Sequence, residues 1–209
     1  MALGTYSELQ AAAASWLARP GDPTLTPSIP DFVRLAEARI HRDLRLRAME
    51  ARATAEIDSA HVALPDGFLE MRSFRLNTDP ATRLELLSPE EMDRPGLASR
   101  SGRPRWYSVL GGEIRLAPAP DAPYVAEMTY WKRFAPLGIA EPTNWLLENA
   151  PDVYLYATLM EATAFIGNDE RLPLWTAAYD RAVAALQASD DRGTWSGALP
   201  QVRGDSAAV

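Results

Sequence analysis

Pro151-Asp-Val-Tyr-Leu-Tyr-Ala-Thr-Leu-Met-Glu-Ala-Thr-Ala-Phe-Ile166 carries apolar side chains on nearly every face, and after its first turn Glu161 is the only charge. Pro151 and Asp152 read as a helix start, because proline forfeits nothing where the first N–H groups lack partners and an acid suits that end of the dipole. Gly167 and Asn168 supply a stop. A helix that is apolar all round has to be surrounded, either by its own domain or by a neighbouring subunit. At the usual rise per residue it spans about 24 Å, too short to cross a bilayer comfortably. A central core helix is the plainer expectation; a helix partly buried between subunits is the alternative.

The blocks nearest it are helical as well. Thr143-Asn-Trp-Leu-Leu-Glu148 reads as one or two turns leading in, and Asn168 or Asp169 starts a last helix with the stripe Leu172, Trp175, Tyr179, Ala182, Val183 and Leu186. Near the N-terminus, Thr5 or Ser7 caps a helix running to about Ala18, with Leu9, Ala12, Ala13, Trp16 and Leu17 on one side. The loop Arg19-Pro-Gly-Asp-Pro-Thr-Leu-Thr-Pro27 ends it. Ser28 and Asp31 are then spaced to cap a second helix, whose apolar side is Phe32, Leu35, Ala36, Ile40 and Leu44. Its other side carries Arg34, Arg39, Arg42, Arg45 and Arg47, interleaved with Glu37 and Asp43.

Between the two helical blocks the texture changes. Ala53–Asp58, His61–Pro65, Leu69–Asn77 and Arg83–Leu87 are short, partly alternating segments separated by turn residues. Ser88-Pro-Glu-Glu-Met-Asp93 reads as one capped helical turn. Trp106–Leu110 and Glu113–Leu116 flank Gly111-Gly112, a hairpin in which two glycines supply the positive φ angles of a tight turn. Tyr107, Val109, Ile114 and Leu116 can share its buried face. Tyr124–Phe134 has the aromatic, alternating character of a long last strand. The expected fold is therefore α+β: a helical bundle formed by the N- and C-terminal helices, with an inserted, mostly antiparallel β domain. Residues 1–52 and 136–190 would form the bundle and 53–135 the β domain, with 191–209 a flexible tail by composition.

The composition limits the chemistry. The chain has 209 residues, a formal charge of −7 and no cysteine. Net acidity argues against affinity for nucleic acid or anionic membrane driven by bulk charge, since neutralising phosphates takes clustered Lys and Arg. The lack of cysteine excludes a disulfide framework, a Cys-based zinc site and a thiol nucleophile. No signal-peptide pattern and no transmembrane run is evident, which points to a soluble protein made in a cytoplasm. His41 and His61 are the only histidines and have no local partner set for catalysis or metal binding. No serine sits in a nucleophile-elbow context, and Gly111-Gly112 is not followed by the Lys-Ser/Thr of a phosphate loop. Glu90-Glu91 and Asp169-Glu170 both lie at expected helix starts, where acids are favoured by the dipole alone. No catalytic residue, metal ligand or cofactor site is expected.

Two surfaces remain. The arginine side of the second helix reads as a solvated face of spaced charge pairs, a contact against an acidic neighbour, or a DNA-binding face, in that order. In the tail, Trp195, Leu199 and Val202 are apolar residues in a stretch unable to fold alone; such a segment orders on a partner or covers its own domain.

The order of blocks resembles a known family. Tyr6-Ser-Glu-Leu9, Ile29-Pro-Asp-Phe-Val-Arg-Leu-Ala-Glu-Ala-Arg-Ile40 with Arg42-Asp-Leu44, and Val62-Ala-Leu-Pro-Asp-Gly-Phe-Leu69 come in series. Gly111-Gly-Glu-Ile-Arg-Leu-Ala-Pro118, Tyr130, Asn144-Trp-Leu-Leu147, Ala150-Pro-Asp-Val-Tyr-Leu-Tyr156, Asp169-Glu-Arg171 and Trp175 follow. Together, over about residues 5–190, they resemble the head-to-tail adaptor proteins of short-tailed phages and related prophages, of the tail tubular protein A type. The resemblance implies a non-enzymatic structural protein of the virion neck or tail, made in the host bacterial cytoplasm. It implies a ring of twelve subunits that joins the portal protein to the tail nozzle or next tail protein. DNA would pass through the lumen without sequence-specific binding. The resemblance supplies no catalytic residues. In such a ring Arg39, Arg42 and Arg45 on the arginine helix and Tyr154 and Tyr156 on the Pro151 helix are candidate subunit contacts. Trp195, Leu199 and Val202 are candidate portal contacts. The rival readings are a carboxylate-dependent hydrolase and a DNA-binding regulatory module.

Overall fold

The computed structural model of the chain describes residues 3–94, 96–97, 101–167 and 169–195. In chain order the elements are α1 (Tyr6–Trp16), α2 (Ile29–Asp43), β1 (Glu50–Ile57), β2 (His61–Ala63), β3 (Phe68–Leu76), β4 (Thr82–Arg83), β5 (Glu85–Leu86) and α3 (Pro89–Met92). They continue as β6 (Trp106–Leu110), β7 (Glu113–Ala117), β8 (Tyr124–Lys132), α4 (Trp145–Asn149), α5 (Pro151–Ile166) and α6 (Leu172–Trp195). The fold is α+β, and the chain divides into two compact units, Met1–Arg47 with Phe134–Val209, and Ala48–Arg133.

In the helical unit α5 spans Pro151–Ile166 and buries Val153, Tyr154, Leu155, Ala157, Leu159 and Ala162 within its own chain. Fully burying a Leu or Val stabilises by about 1.5–3 kcal/mol relative to exposure, so this one helix anchors the core. Gly167 ends it at φ +77°, a conformation that disfavours side chains larger than hydrogen. Phe32 meets Phe165 and, further along α2, Arg39 meets Glu161 earlier on α5, so these two helices run antiparallel. α1 starts with a capping box: Glu8 N–H donates to Thr5 Oγ1 and Thr5 N–H to the Glu8 carboxylate.

α2 departs from the expected reading in three ways. Ser28 does not cap it, because a 3-10 turn at Thr26–Ser28 runs directly into the helix, leaving Ser28 itself in helical conformation with its hydroxyl donating back to the Thr24 carbonyl. Asp22 organises the entry instead, accepting from the N–H groups of Thr24 and Leu25. Leu35 is half exposed, since the buried stripe follows Ile29, Val33, Ala36 and Ile40. The helix also stops at Asp43, so Arg45 and Arg47 lie beyond it. Leu44 turns extended, and Leu44 and Leu46 are both fully buried. The switch from helical to alternating burial is what ends the helix there.

α6 continues to Trp195, so residues 191–195 are helical where composition had placed the beginning of a tail. Leu199 and Val202 lie outside the described residues.

The β unit consists of two four-stranded sheets, ordered β1-β8-β3-β4 and β2-β7-β6-β5. The pairings between these strands are antiparallel except β5 with β6, and an isolated parallel bridge joins Ser101 to Ala119. Both sheets contribute to one core, where Phe74 of the first meets the ring of Tyr107 of the second edge-on at 5.3 Å. The hairpin at Gly111-Gly112 has φ +62° and +87° and pairs Val109 with Ile114 and Tyr107 with Leu116. β3 carries two irregularities against β8, between Phe68 and Glu70 and between Met71 and Ser73.

Candidate functional site

One buried polar network in the helical unit centres on Glu37 of α2. Glu37, expected on a solvated face, is buried. Its Oε1 accepts from the Leu137 N–H at 2.7 Å and from the Tyr154 hydroxyl at 3.4 Å. The Tyr154 oxygen accepts from Asn144 Nδ2 at 2.7 Å, and Asn144 Oδ1 caps α4 by accepting from the Leu147 N–H. Burial pushes the Glu37 carboxyl above the usual range even though Leu137, Tyr154 and Arg34 all favour its ionised form. Burial also raises the Tyr154 phenol, and Glu37 adds to the rise. One turn on, His41 Nε2 accepts from the Phe134 N–H at 3.1 Å, so that nitrogen carries no proton in this bond. Glu37 and His41 thus secure the segment by which the chain returns to the helical unit. Their arrangement holds backbone in place.

The candidate contact residues are differently placed. Arg39 is half-buried and pairs with Glu161, its Nε at 2.7 Å from Oε1. This accounts for the one charge inside α5. Arg42 is exposed. Arg45 Nη1 donates to the carbonyls of His41 and Leu44, closing the C-terminal end of α2, where a cation suits the dipole. Tyr154 is 1% exposed and faces its own core. Tyr156 is half-buried, with Trp16 edge-on at 5.9 Å and 42% exposed. Asp43 accepts from the Tyr179 hydroxyl on α6 at 2.8 Å, and burial raises that phenol. Trp195 is the last residue of α6.

Among the described residues no group of three or more His, Asp or Glu is placed to hold a metal ion. Nor is any helix long and apolar enough to cross a membrane. In the β unit, Arg83, Arg103 and Arg105 line one cavity with Trp106. Sequence reading passed over this cluster, since its members come from different segments. The only local signal was the pair of arginines flanking Pro104.

A family model described as SU10 adaptor protein matches residues 4–203. The chain belongs to that family. The match agrees with the resemblance to phage head-to-tail adaptors and extends past it, so that Trp195, Leu199 and Val202 fall inside the matched span. Among curated proteins none matches the chain. Membership in the SU10 adaptor protein family points to a structural, non-enzymatic role that involves other phage head or tail proteins.

Proposed function

We propose that this SU10 adaptor assembles as a ring of twelve subunits that joins the portal to the tail nozzle or next tail protein. The ring would sit in the virion neck and surround the channel through which DNA passes. The family match over residues 4–203 carries this reading. It is supported by the apolar surface of the helical unit, where Trp16, Leu35, Phe165 and Leu174 are each more than two-fifths exposed. These side chains are available to be covered by a neighbouring subunit, as apolar surface is when a ring closes. Tyr156 beside Trp16, together with Arg42, supplies the side-to-side contact, with Arg39 and Arg45 at its margin. Tyr154 contributes through the helix it anchors. The net charge of −7 suits a conduit, because an acidic lumen does not retain phosphates; a cryo-EM map with a strongly basic lumen would contradict that part. Trp195, Leu199 and Val202 dock on the portal.

The test is the mass of the purified protein, alone and mixed with its portal, for the full chain and for a chain ending at Trp195. A ring, formed alone or on the portal, is expected. The shortened chain should attach less while remaining helical. A monomer that ignores the portal would overturn the adaptor ring, and unchanged attachment of the shortened chain, which keeps Trp195, would overturn the portal role of Leu199 and Val202.

A further inference from the structure

Of the arginines described in the β unit, Arg52 and Arg75 pair with Glu127, Arg72 with Glu50, Arg94 with Glu91 and Arg115 with Asp93. Arg83, Arg103 and Arg105, like Arg133 at the end of the unit, have no carboxylate at ion-pair distance among the described residues, and unlike Arg133 they lie together. These three line one cavity of about 410 Å³ with Thr82, Glu85 and Trp106. In a chain of net charge −7, unpaired cations brought together in this way are not a consequence of composition.

The geometry is preorganised at Arg103. Its Nη2 donates to the hydroxyls of Thr78 and Thr82 and to the Pro80 carbonyl. These neutral acceptors fix the guanidinium without cancelling its charge, and its Nε is buried with no partner. Arg83 lies directly across from Arg75 in the β3–β4 ladder, a like-charge pairing that disfavours the sheet by itself. Arg105 is held by its backbone, its N–H donating to Ala117 and its carbonyl accepting from Glu85. Both Arg83 and Arg105 are exposed.

We propose that Arg83, Arg103 and Arg105 form a phosphate-binding site. A single carboxylate is satisfied by one guanidinium fork, whereas a phosphate group offers further acceptor oxygens to several donors. Three arginines against Glu85 leave the cavity positive. Trp106 lines the same cavity and is the aromatic side chain there against which a nucleobase attached to that phosphate would stack. The site lies within one β unit and does not depend on the ring.

The experiment titrates the full chain, at low salt, into a short fluorescein-labelled DNA single strand, and separately follows thermal stability with added inorganic phosphate. Binding of the strand identifies the nucleic-acid backbone as the source of the phosphate. Stabilisation by inorganic phosphate without strand binding identifies the free ion. Either result bears the site out if R83Q/R105Q weakens it about tenfold and, for the strand, lowers the salt slope by about 1.4. R34Q/R181Q, an equal change in charge in the helical unit, should leave binding intact. The proposal is overturned if neither probe binds, if the two double variants lose binding equally, or if poly-glutamate competes as well as phosphate does. That last result would assign the arginines to an acidic protein surface.

Discussion

At the scale of single residues, Glu37 shows what a periodic pattern reveals and what it hides. Its neighbours Val33 and Ile40, one turn away on either side, are buried, so position 37 lies on the inner face, although its charge assigns it to the arginine side in the sequence. What spacing cannot reveal is the acceptor's purpose, because its partner Leu137 is 100 residues away in the chain. Replacing Glu37 with Leu leaves the Leu137 N–H buried without an acceptor, and should destabilise the helical unit by about 1–3 kcal/mol in denaturant titration. Glu37→Gln keeps an acceptor oxygen and removes the charge. Burial raises the folded-state pKa of Glu37 above its ordinary value of 4.5, so the folded chain binds more protons than the unfolded chain in that window. Stability from this group is therefore greatest at low pH and declines as pH rises from about 4.5 through the raised value. Relative to wild type, E37Q should gain in Tm as pH rises across that range. A constant difference in Tm would show that the carboxyl does not titrate there.

At the scale of elements, legibility followed how local the determinant was. α5 is fixed by Pro151 at one end and Gly167 at the other, and both signals lie in the sequence it spans. The β6–β7 hairpin was legible for the same reason. Gly111 and Gly112 have positive φ angles, and a Cβ at either would meet nothing within 4 Å. The penalty for a side chain is thus purely backbone conformation, about 1–2 kcal/mol per residue. Gly112→Ala should lower the urea midpoint of the β unit accordingly, read from the near-ultraviolet signal of Tyr107 and Trp106. An unchanged midpoint would mean that the turn relaxes to another type. Determinants that were not local were missed. The irregularities in β3 arise from pairing with β8, more than fifty residues away, and leave no mark on the alternation of Phe68–Leu76. The end of α2 is set by where Leu44 and Leu46 find the core, with Arg45 then closing the exposed carbonyls. The arginine cavity of the β unit is the extreme case, since Arg83 and Arg105 line one cavity where β5, just after Arg83, pairs in parallel with β6, just after Arg105.

At the scale of the whole molecule, the sheet register explains how a β unit can interrupt a helical one. Glu50, the first residue of β1, pairs with Trp131 near the end of β8. Paired residues in adjacent antiparallel strands lie about 5 Å apart, so the chain enters and leaves the β unit at nearly one point. Each unit also has its own core: the β cluster around Phe74, Leu76, Ile114 and Leu116, and the helical core around Leu9, Ile40, Val153 and Leu159. The bonds that secure the return of the chain, from Leu137 to Glu37 and from Phe134 to His41, lie wholly within the helical unit. The helical unit should therefore not need the β unit in order to fold. Joining Arg47 to Phe134 through a flexible Gly/Ser linker of about five residues spans the gap left by the excised segment. The product should give a helical far-ultraviolet spectrum and one cooperative thermal transition, with the Glu37 pH dependence retained. A product without helix or without a cooperative transition would show that the β unit supplies contacts the helices cannot do without, and the insertion would have to be understood as an integral part of a single core.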